Sequence, residues 1–240
     1  MTMSPSGRAA SVVHVDRLAL AFAQKPWAFA AERRAEIDAY FAKLRQKNPA
    51  LWNGRILMLY RQVLAGGVFR GEYLETDYAG FAAWRSWGMP AAAVYDCFGA
   101  AAILSADGAF LLGVMGPHTL GAGRIYCPCG TPDPVDIVGG AVDLDFSVRR
   151  ELKEETGLDI TEFTAEPGWT TVFDLQLIAH IKVLRSGDSA DALRARILAH
   201  LAREQQPQLA DIRIMRGVAD FDPAMPRFVT AFLAQRFTLR

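Results

Sequence analysis

The sequence predicts an α+β fold in which a mixed sheet lies between helices. Short apolar runs with strand composition alternate with amphipathic stretches whose apolar residues recur at helical spacing. Two of the apolar runs are separated by Asp107-Gly108, a dipeptide that favours a tight hairpin turn. The order in the second part of the chain is hairpin, loop, helix, long strand, helix, short strand and helix. That order suits a domain of one sheet and covering helices.

The first 90 residues carry fewer signals. Residues 1–16 show no continuous pattern, and we expect a ragged terminus there. Gly66-Gly67 stands between two apolar runs and predicts a hairpin, and Asp77 is a candidate N-cap for the helix that follows it. The predicted elements are a helix over 31–46, strands over 56–64 and 68–74, and a helix over 78–87.

The pattern after residue 91 is more regular. Residues 130–140 are rich in Gly, Pro and Asp and predict a loop. The helix after this loop has Asp143 or Asp145 as its N-cap. The predicted elements are strands over 98–104, 109–114 and 124–127, a helix over 146–156, one long strand over 170–184, a helix over 189–203, a strand over 212–215 and a helix over 226–237.

Residues 150–158, Arg-Glu-Leu-Lys-Glu-Glu-Thr-Gly-Leu, are the most informative stretch. Glu151, Glu154 and Glu155 stand at i, i+3 and i+4, so on a helix they share a face and are expected to converge on one point. Carboxylates placed in this way repel each other, and a divalent cation such as Mg²⁺, which prefers oxygen ligands, would reverse that repulsion. Arg150 can hold one carboxylate in place through a forked pair of hydrogen bonds.

This stretch resembles the signature helix of the Nudix hydrolases, which reads Arg-Glu-aliphatic-x-Glu-Glu-x-Gly-aliphatic. Upstream of the arginine the family has a glycine, five residues, a glutamate and seven further residues. Here Gly130 is followed by five residues and then by Asp136, and thirteen residues instead of seven separate Asp136 from Arg150. An alignment from Gly139-Gly140 leaves too few residues before the arginine, so the alignment from Gly130 is preferred.

The resemblance implies a Nudix α/β/α sandwich with a mixed sheet over residues 91–240. Residues 1–90 would be an N-terminal α/β extension packed on that core. The implied enzyme is a hydrolase that acts on diphosphate (acid anhydride) bonds and cleaves a nucleoside diphosphate linked to another moiety. Its implied cofactor is Mg²⁺, with Mn²⁺ as an alternative.

The roles that the family gives to its signature residues transfer to the matching positions. The resemblance implies that Glu151 and Glu155 are direct metal ligands. Glu154 is implied as a further ligand or as the base that deprotonates the attacking water. Arg150 is implied to orient the glutamates, so Glu151, Glu154 and Arg150 together form the expected catalytic group.

A second, more scattered resemblance links residues 48–54, 76–78 and 128–134 to the UDP-glucose-hydrolysing members of the Nudix family, known from mammals. It implies a nucleotide sugar as the substrate. The reaction would release a nucleoside monophosphate and a sugar 1-phosphate, as from a UDP-sugar to UMP.

Further contacts to substrate or phosphate are expected outside the signature helix. Gly130 lacks a Cβ atom and lets the loop backbone come close to a metal or phosphate. Asn53 and Asp133 lie in the segments of the second resemblance, although a plain turn is the alternative for Asn53. Nudix enzymes often add a carboxylate from a late loop, for which Glu204 and Asp220 are the candidates, with a solvated surface charge as the alternative for both.

Composition argues against several other functions. Lys plus Arg (26) equal Asp plus Glu (26), so no basic surplus favours nucleic acid or a membrane surface. No apolar run is long enough to span a membrane, and the N-terminus has no apolar segment typical of a secretory signal. Cys127-Pro128-Cys129 is at most half a zinc site, since no second Cys or His cluster completes it. The prediction is a cytoplasmic protein with reduced cysteines.

Two alternatives to nucleotide-sugar hydrolysis stay open. The same mechanism can serve coenzyme A, ADP-ribose or a dinucleotide, because the signature helix carries no information about the leaving moiety. The chain can also be a Nudix module that binds a nucleotide without turnover, which the aspartate at position 136 and the longer spacing favour. A homodimer is also open, since nothing in the sequence marks a dimer face.

Overall fold

Two β-sheets organise the chain, whose computed structural model describes residues 9–90 and 94–239. The strands are β1 (Ser11–Val15), β2 (Arg17–Phe22), β3 (Arg55–Ala65), β4 (Val68–Asp77), β5 (Asp96–Leu104), β6 (Phe110–Met115), β7 (Ile125–Tyr126), β8 (Ile137–Val138), β9 (Ala141–Val142), β10 (Thr164–Ala165), β11 (Trp169–Asp174), β12 (Leu177–Arg185) and β13 (Leu209–Met215). The helices are α1 (Ala28–Glu32), α2 (Arg34–Lys47), α3 (Tyr78–Ser86), α4 (Leu144–Thr156), α5 (Ala190–Leu201) and α6 (Arg227–Thr238).

The first sheet has the strand order β1-β11-β12-β5-β6-β13, with β10 beside β12 and β7 beside β6. It is mixed, because β5 and β12 run parallel whereas β11–β12 and β5–β6 are antiparallel. Successive residues of β5 point to opposite faces. Cys97 and Ala101 share a core with α4 and α5, while Phe98 and Ala102 share a core with α6. The expected α/β/α sandwich with a mixed sheet is therefore confirmed.

The second sheet has the order β3-β4-β2-β9-β8. Its β3–β4 hairpin turns at Gly66-Gly67, as predicted, and both glycines have positive φ. Helices α1, α2 and α3 pack on this sheet around a third apolar core, which includes Phe41, Met58 and Trp84. Asp77 caps α3 by accepting a hydrogen bond from the Gly80 N–H at 3.0 Å.

Backbone hydrogen bonds join the second sheet to the first. The N–H of Tyr95, just before β5, donates to the Leu59 carbonyl of β3 at 2.8 Å, and the Leu59 N–H donates back at 3.2 Å. The Tyr73 hydroxyl of β4 donates to the Cys97 carbonyl at 3.1 Å. Strand β1 pairs with β11 at the edge of the first sheet. The division of the chain at residue 90 stays a prediction.

Two predictions about elements are wrong. The expected ragged terminus contains β1; residues 1–8 of that range lie outside the described residues. The expected long strand is two strands, β11 and β12, which pair antiparallel. The turn between them places Leu175 at a φ of 56°, a conformation that no Gly or Asn signals in advance. The other predicted helices and strands are present with shifted ends, and Arg33 separates α1 from α2.

Within the described residues, no helix is both long and apolar enough to cross a membrane.

Candidate active site

Helix α4 carries the signature residues and is capped at both ends. At its start the Asp143 carboxylate accepts the Phe146 N–H at 3.0 Å, so the first of the two predicted N-caps is the one used. At its end Gly157 has a φ of 71°, the left-handed conformation that ends many helices. The two caps fix where the helix begins and ends, and hence which of its residues face the sheet.

The three glutamates of α4 do not share one environment. Glu151 and Glu155 are buried, with 6% and 1% of their surfaces exposed. The Glu154 side chain is 59% exposed, although it contacts the same Arg150 nitrogen as Glu151. Because successive helix positions lie about 100° apart, Glu154 stays at the surface while Glu155 is buried with Glu151, yet the charge of Glu154 still acts to raise the pKa values of both. The convergence of the three on one point stays a prediction.

Arg150 connects most of the carboxylates of this region. Its Nη1 lies 2.8 Å from Glu151 Oε1 and 3.2 Å from Glu154 Oε2, and its Nη2 lies 3.2 Å from Asp136 Oδ2. Burial acts to lower the pKa of Arg150, but the attraction of Glu151 and Asp136 outweighs it, so the pKa is raised and the charge is secure. The role expected for Arg150, orienting the glutamates, matches these contacts.

Asp136 is fully buried and fully engaged. It accepts the Asp133 N–H at 3.0 Å in addition to its pairing with Arg150. Burial raises its pKa, and the Asp133 N–H and Arg150 act against that shift. Asp133 in turn accepts the Val135 N–H at 2.8 Å, so the two aspartates close a capping box around one helical turn.

The six extra residues before the signature helix form a hairpin of their own. Residues 137–142 comprise β8, Gly139-Gly140 at positive φ, and β9. The Asp143 N–H donates to the Asp136 carbonyl at 2.8 Å and closes the base of this hairpin. With the hairpin set aside, seven residues separate Asp136 from Arg150 along the path of the chain, as in the family pattern.

Gly130 lies directly against the Glu151 carboxylate. A Cβ atom built on Gly130 would clash with that carboxylate. The loop around Gly130 is held to both sheets, because the Ala101 N–H donates to the Pro128 carbonyl at 2.9 Å and the Leu57 N–H donates to the Pro132 carbonyl at 2.7 Å. Glycine is therefore required here for close approach, whereas its φ is ordinary.

Glu155 is held on one oxygen and open on the other. Gln208 Nε2 donates to its Oε1 at 2.5 Å, and the Cys129 N–H also faces this carboxylate. Oε2 is buried and has no hydrogen-bond partner. Burial, and next the repulsion from Glu151, raise the pKa of Glu155 well above its ordinary value. Burial also raises the pKa of Glu151 to about 7, although Arg150 acts against the shift.

These two glutamates fit a divalent metal ion. A buried carboxylate oxygen without a partner is costly, and a cation beside it would remove both that cost and the repulsion between the two glutamates. Within the described ranges, no three His, Cys, Asp or Glu side chains cluster closely enough to hold a metal by themselves. Mg²⁺ does not require such a cage, since it is commonly bound by one or two carboxylates together with waters and substrate phosphates.

A cleft of about 570 Å³ opens beside this site. Gly130 and Asp133 line it, and so does Gln208, which holds Glu155. All three segments of the second resemblance reach its wall: Trp52 comes from residues 48–54, Tyr78 from residues 76–78, and Gly130 from residues 128–134. The volume lies within the range usual for small-molecule sites.

Three of the expected contacts are engaged elsewhere. Asn53 does not line the cleft; its Oδ1 accepts the Ala79 N–H at 2.7 Å and its Nδ2 donates to Asp77 at 3.1 Å, so it supports the start of α3. Glu204 lies 3.2 Å from His200 on its own helix end. Asp220 accepts the N–H groups of Arg216 and Gly217.

The sequence gives no advance signal for several residues of the site. Gln208 lies just before β13 and holds Glu155, but a glutamine in a polar loop has no distinguishing sequence pattern. Asp96 and Arg85 line the cleft, yet each belongs to an element with ordinary strand or helix periodicity. Their convergence depends on tertiary contacts between the two sheets.

Solved structures that resemble the chain include two Nudix hydrolases and a MutT protein. A Nudix hydrolase from M. smegmatis is 14% identical over 60% of this chain and 83% of its own, with a TM-score of 0.37. A MutT protein from Methanosarcina mazei Go1 is 16% identical over 59% of this chain and 92% of its own, with a TM-score of 0.39. A Nudix hydrolase from Nitrosomonas europaea is 17% identical over 50% of this chain and 72% of its own, with a TM-score of 0.32. At these scores the likeness decides neither activity nor substrate.

No protein-family model and no curated protein matches the chain.

Proposed function

We propose that this chain is a Nudix hydrolase that cleaves a diphosphate bond with the help of a divalent metal ion. The arrangement around Arg150 carries the proposal. Asp136 and Glu151 both meet this arginine, and Gly130 lies against Glu151, although a hairpin interrupts the family's spacing. The residues of the signature thus come together in space as well as along the chain.

Glu151 and Glu155 are the residues that would hold the metal, and Glu155 offers an oxygen without a partner. Bound Mg²⁺, or Mn²⁺ in its place, would neutralise phosphate charge and lower the pKa of a coordinated water. Gln208 keeps Glu155 turned so that its second oxygen stays available. Gly130 leaves room for the Glu151 carboxylate itself, because a Cβ atom at this position would clash with it.

Glu154 is the proposed general base. It is exposed enough to pass a proton to solvent, and Arg150 holds it from one side. In this role it would accept the proton of the attacking water while the bond between the two phosphates breaks. Arg150 would keep Glu151 and Glu154 at a fixed spacing during that step.

We propose a nucleotide sugar as the substrate class. The three chain segments of the second resemblance meet in one cleft, next to the proposed metal ligands. Arg85 and Arg124 line the same cleft and form no ion pair with any carboxylate among the described residues, which suits an anionic ligand. Coenzyme A, ADP-ribose and dinucleotides share the diphosphate and are outcomes that the test must separate.

A hydrolysis screen with Mg²⁺ and mass identification of the products tests the proposal. The panel holds UDP-glucose, UDP-galactose, GDP-mannose, ADP-ribose, coenzyme A, diadenosine polyphosphates and nucleoside triphosphates. UMP and a sugar 1-phosphate from a UDP-sugar are the expected products. Turnover of another member only would retain the mechanism and reject the nucleotide sugar. Binding of nucleotides without turnover of any member would reject the hydrolase in favour of a binding module.

A further inference from the structure

Asp96 is a buried carboxylate that the proposed chemistry does not use. It begins β5, is only 5% exposed, and lines the cleft. Its Oδ1 is buried and has no hydrogen-bond partner, and no Lys, Arg or His in the described part of the chain forms an ion pair with it. Its backbone is ordinary, since its N–H donates to the Gln176 carbonyl at 2.8 Å.

The surroundings of Asp96 do not explain why a carboxylate stands there. Leu177 lies beside Asp96 on the neighbouring strand, and Tyr78, Phe98 and Phe228 also line the cleft, so this part of the wall is largely apolar. Burial raises the pKa of Asp96 to about 6, and the more distant charge of Arg85 acts against that shift. An apolar residue in this position would avoid the cost of burying a charged group without a partner. The chain therefore keeps a destabilising group at the wall of its binding cleft.

A ligand can supply the missing partner. The cleft offers arginines at Arg85 and Arg124, which suit phosphate oxygens, and a hydrogen-bond acceptor at Asp96, which suits an N–H or O–H group. A molecule that joins a phosphate to a ring with such donors matches both. Phosphate or carboxylate oxygens beside Asp96 would be repelled, so the ring end and not the phosphate end belongs there.

We infer that Asp96 is a specificity-determining residue whose carboxylate accepts a hydrogen bond from an N–H or O–H group on the ring that the substrate carries beyond its diphosphate. This inference rests on the proposed function for the identity of the diphosphate, but not for the contact itself. The donor belongs either to the nucleobase or to the sugar. Removing the hydrogen-bond donor from the ligand and removing the Asp96 carboxylate from the protein should therefore weaken binding to a similar extent.

Isothermal titration calorimetry with donor-deleted ligands tests the inference. The probes are UDP-glucose, its N3-methyluracil analogue and its deoxyglucose analogues, with ADP-ribose and its N6,N6-dimethyl analogue in parallel. Binding is measured without metal on the wild type, and with Mg²⁺ in the Glu155→Gln background. The protein variants are Asp96→Ala and Asp96→Asn, with Asp211→Asn as a control at a carboxylate outside the cleft.

The parent ligand should bind wild type at least about tenfold more tightly than one donor-deleted analogue, as expected for a hydrogen bond to a charged group. In Asp96→Ala that preference should fall to about twofold or less. The analogue that shows the effect assigns the donor to base or sugar. An unchanged preference in Asp96→Ala, or no binding of any probe under either condition, would overturn the inference.

Stability provides an independent readout. Neutralising a carboxylate that supports the fold lowers the stability of the protein. Neutralising a carboxylate that is retained for ligand binding does not. Asp96→Asn should therefore have a Tm equal to that of wild type or about 2 °C or more above it. A clear fall in Tm together with unchanged ligand preference would mark Asp96 as structural. Because binding is read without turnover, a wild type that binds but does not hydrolyse would reject the proposed function alone.

Discussion

Asp136 and Glu155 are both buried carboxylates at the signature helix, but they differ in the partners that the chain provides for them. Asp136 meets Arg150 and the Asp133 N–H, so its charge is matched within the chain. Glu155 has one oxygen bonded to Gln208 and the other without a partner, and it meets no arginine or lysine in the described residues. The first arrangement is complete as it stands, and the second is complete only with something added.

Asp96 resembles Glu155 more than Asp136 in this respect, since it too has a buried oxygen without a partner. Under the proposed function, the matched carboxylate stabilises the fold, and the two unmatched carboxylates are the ones proposed to bind ligands. When a matched carboxylate loses its cationic partner, the stability of the protein should fall. When an unmatched carboxylate is neutralised, ligand binding or turnover should fall, and the fold should stay intact.

The largest expected effect is on turnover. Glu155→Gln keeps the volume and the contact with Gln208 but removes the charge proposed to hold the metal. Hydrolysis should fall about a hundredfold to a thousandfold, measured by product release under saturating Mg²⁺. Glu36→Gln, at an exposed position on α2, is the control and should keep wild-type turnover. Activity of Glu155→Gln near that of the control would reject the role of this residue.

The second effect is on stability and concerns the matched group. Arg150→Ala leaves Asp136 and Glu151 buried without their cation, which should lower the free energy of unfolding by about 3 kcal/mol. Urea denaturation measures it. Arg149→Ala removes the neighbouring, exposed arginine of the same helix and should change stability by no more than about 0.5 kcal/mol. Equal effects of the two substitutions would contradict the matching of charges described above.

The third and smallest effect is a pH dependence of stability at Asp96. Its pKa is about 6 in the folded chain and lower when unfolded, so folding is favoured at low pH, and that advantage is lost as pH rises toward 6. Asp96→Asn should therefore gain stability relative to wild type between pH 4 and pH 6, by on the order of 2 kcal/mol, and the difference should stay constant above pH 6.

Urea denaturation of both proteins at several pH values measures this difference. Nearby groups do not confuse it, because burial raises the pKa of Tyr78 to about 12 and raises those of Cys97 and Cys129 as well, so they stay protonated. Glu151 titrates near pH 7 in both proteins, and its contribution cancels in the difference. A difference that is the same at pH 4 and pH 7 would show that the pKa of Asp96 is equal in the folded and unfolded chains, and would contradict a carboxylate that is buried without a partner.

Much of the fold could be predicted from local patterns. The Gly66-Gly67 hairpin and the capped helix α4 follow from turn residues and helical periodicity. The turn at Leu175 could not be predicted, because a leucine with positive φ carries no sequence signal and is imposed by the pairing of β11 with β12. Strand β1 was also missed, since a five-residue edge strand has too little periodicity to stand out.

The site likewise contains residues that the sequence pattern predicts and residues that only the folded chain brings together. The signature spacing predicted the residues of α4, and the hairpin at residues 137–142 explains why the upstream spacing departs from the family. Gln208 and Asp96 come from distant parts of the chain, and only the assembled sheets bring them to the cleft. The exposure of Glu154 was not predicted either, because a shared helix face allows about 100° of spread.

A crystal soaked with Mn²⁺ and UDP, with anomalous scattering recorded at the manganese edge, tests the central claim most directly. The claim is that Glu155 is left unmatched within the chain because it binds a divalent metal together with Glu151. It predicts an anomalous peak between these carboxylates, beside Glu155 Oε2, and no such peak in Glu155→Gln. A wild-type crystal with nucleotide in the cleft but no peak at these glutamates would contradict it.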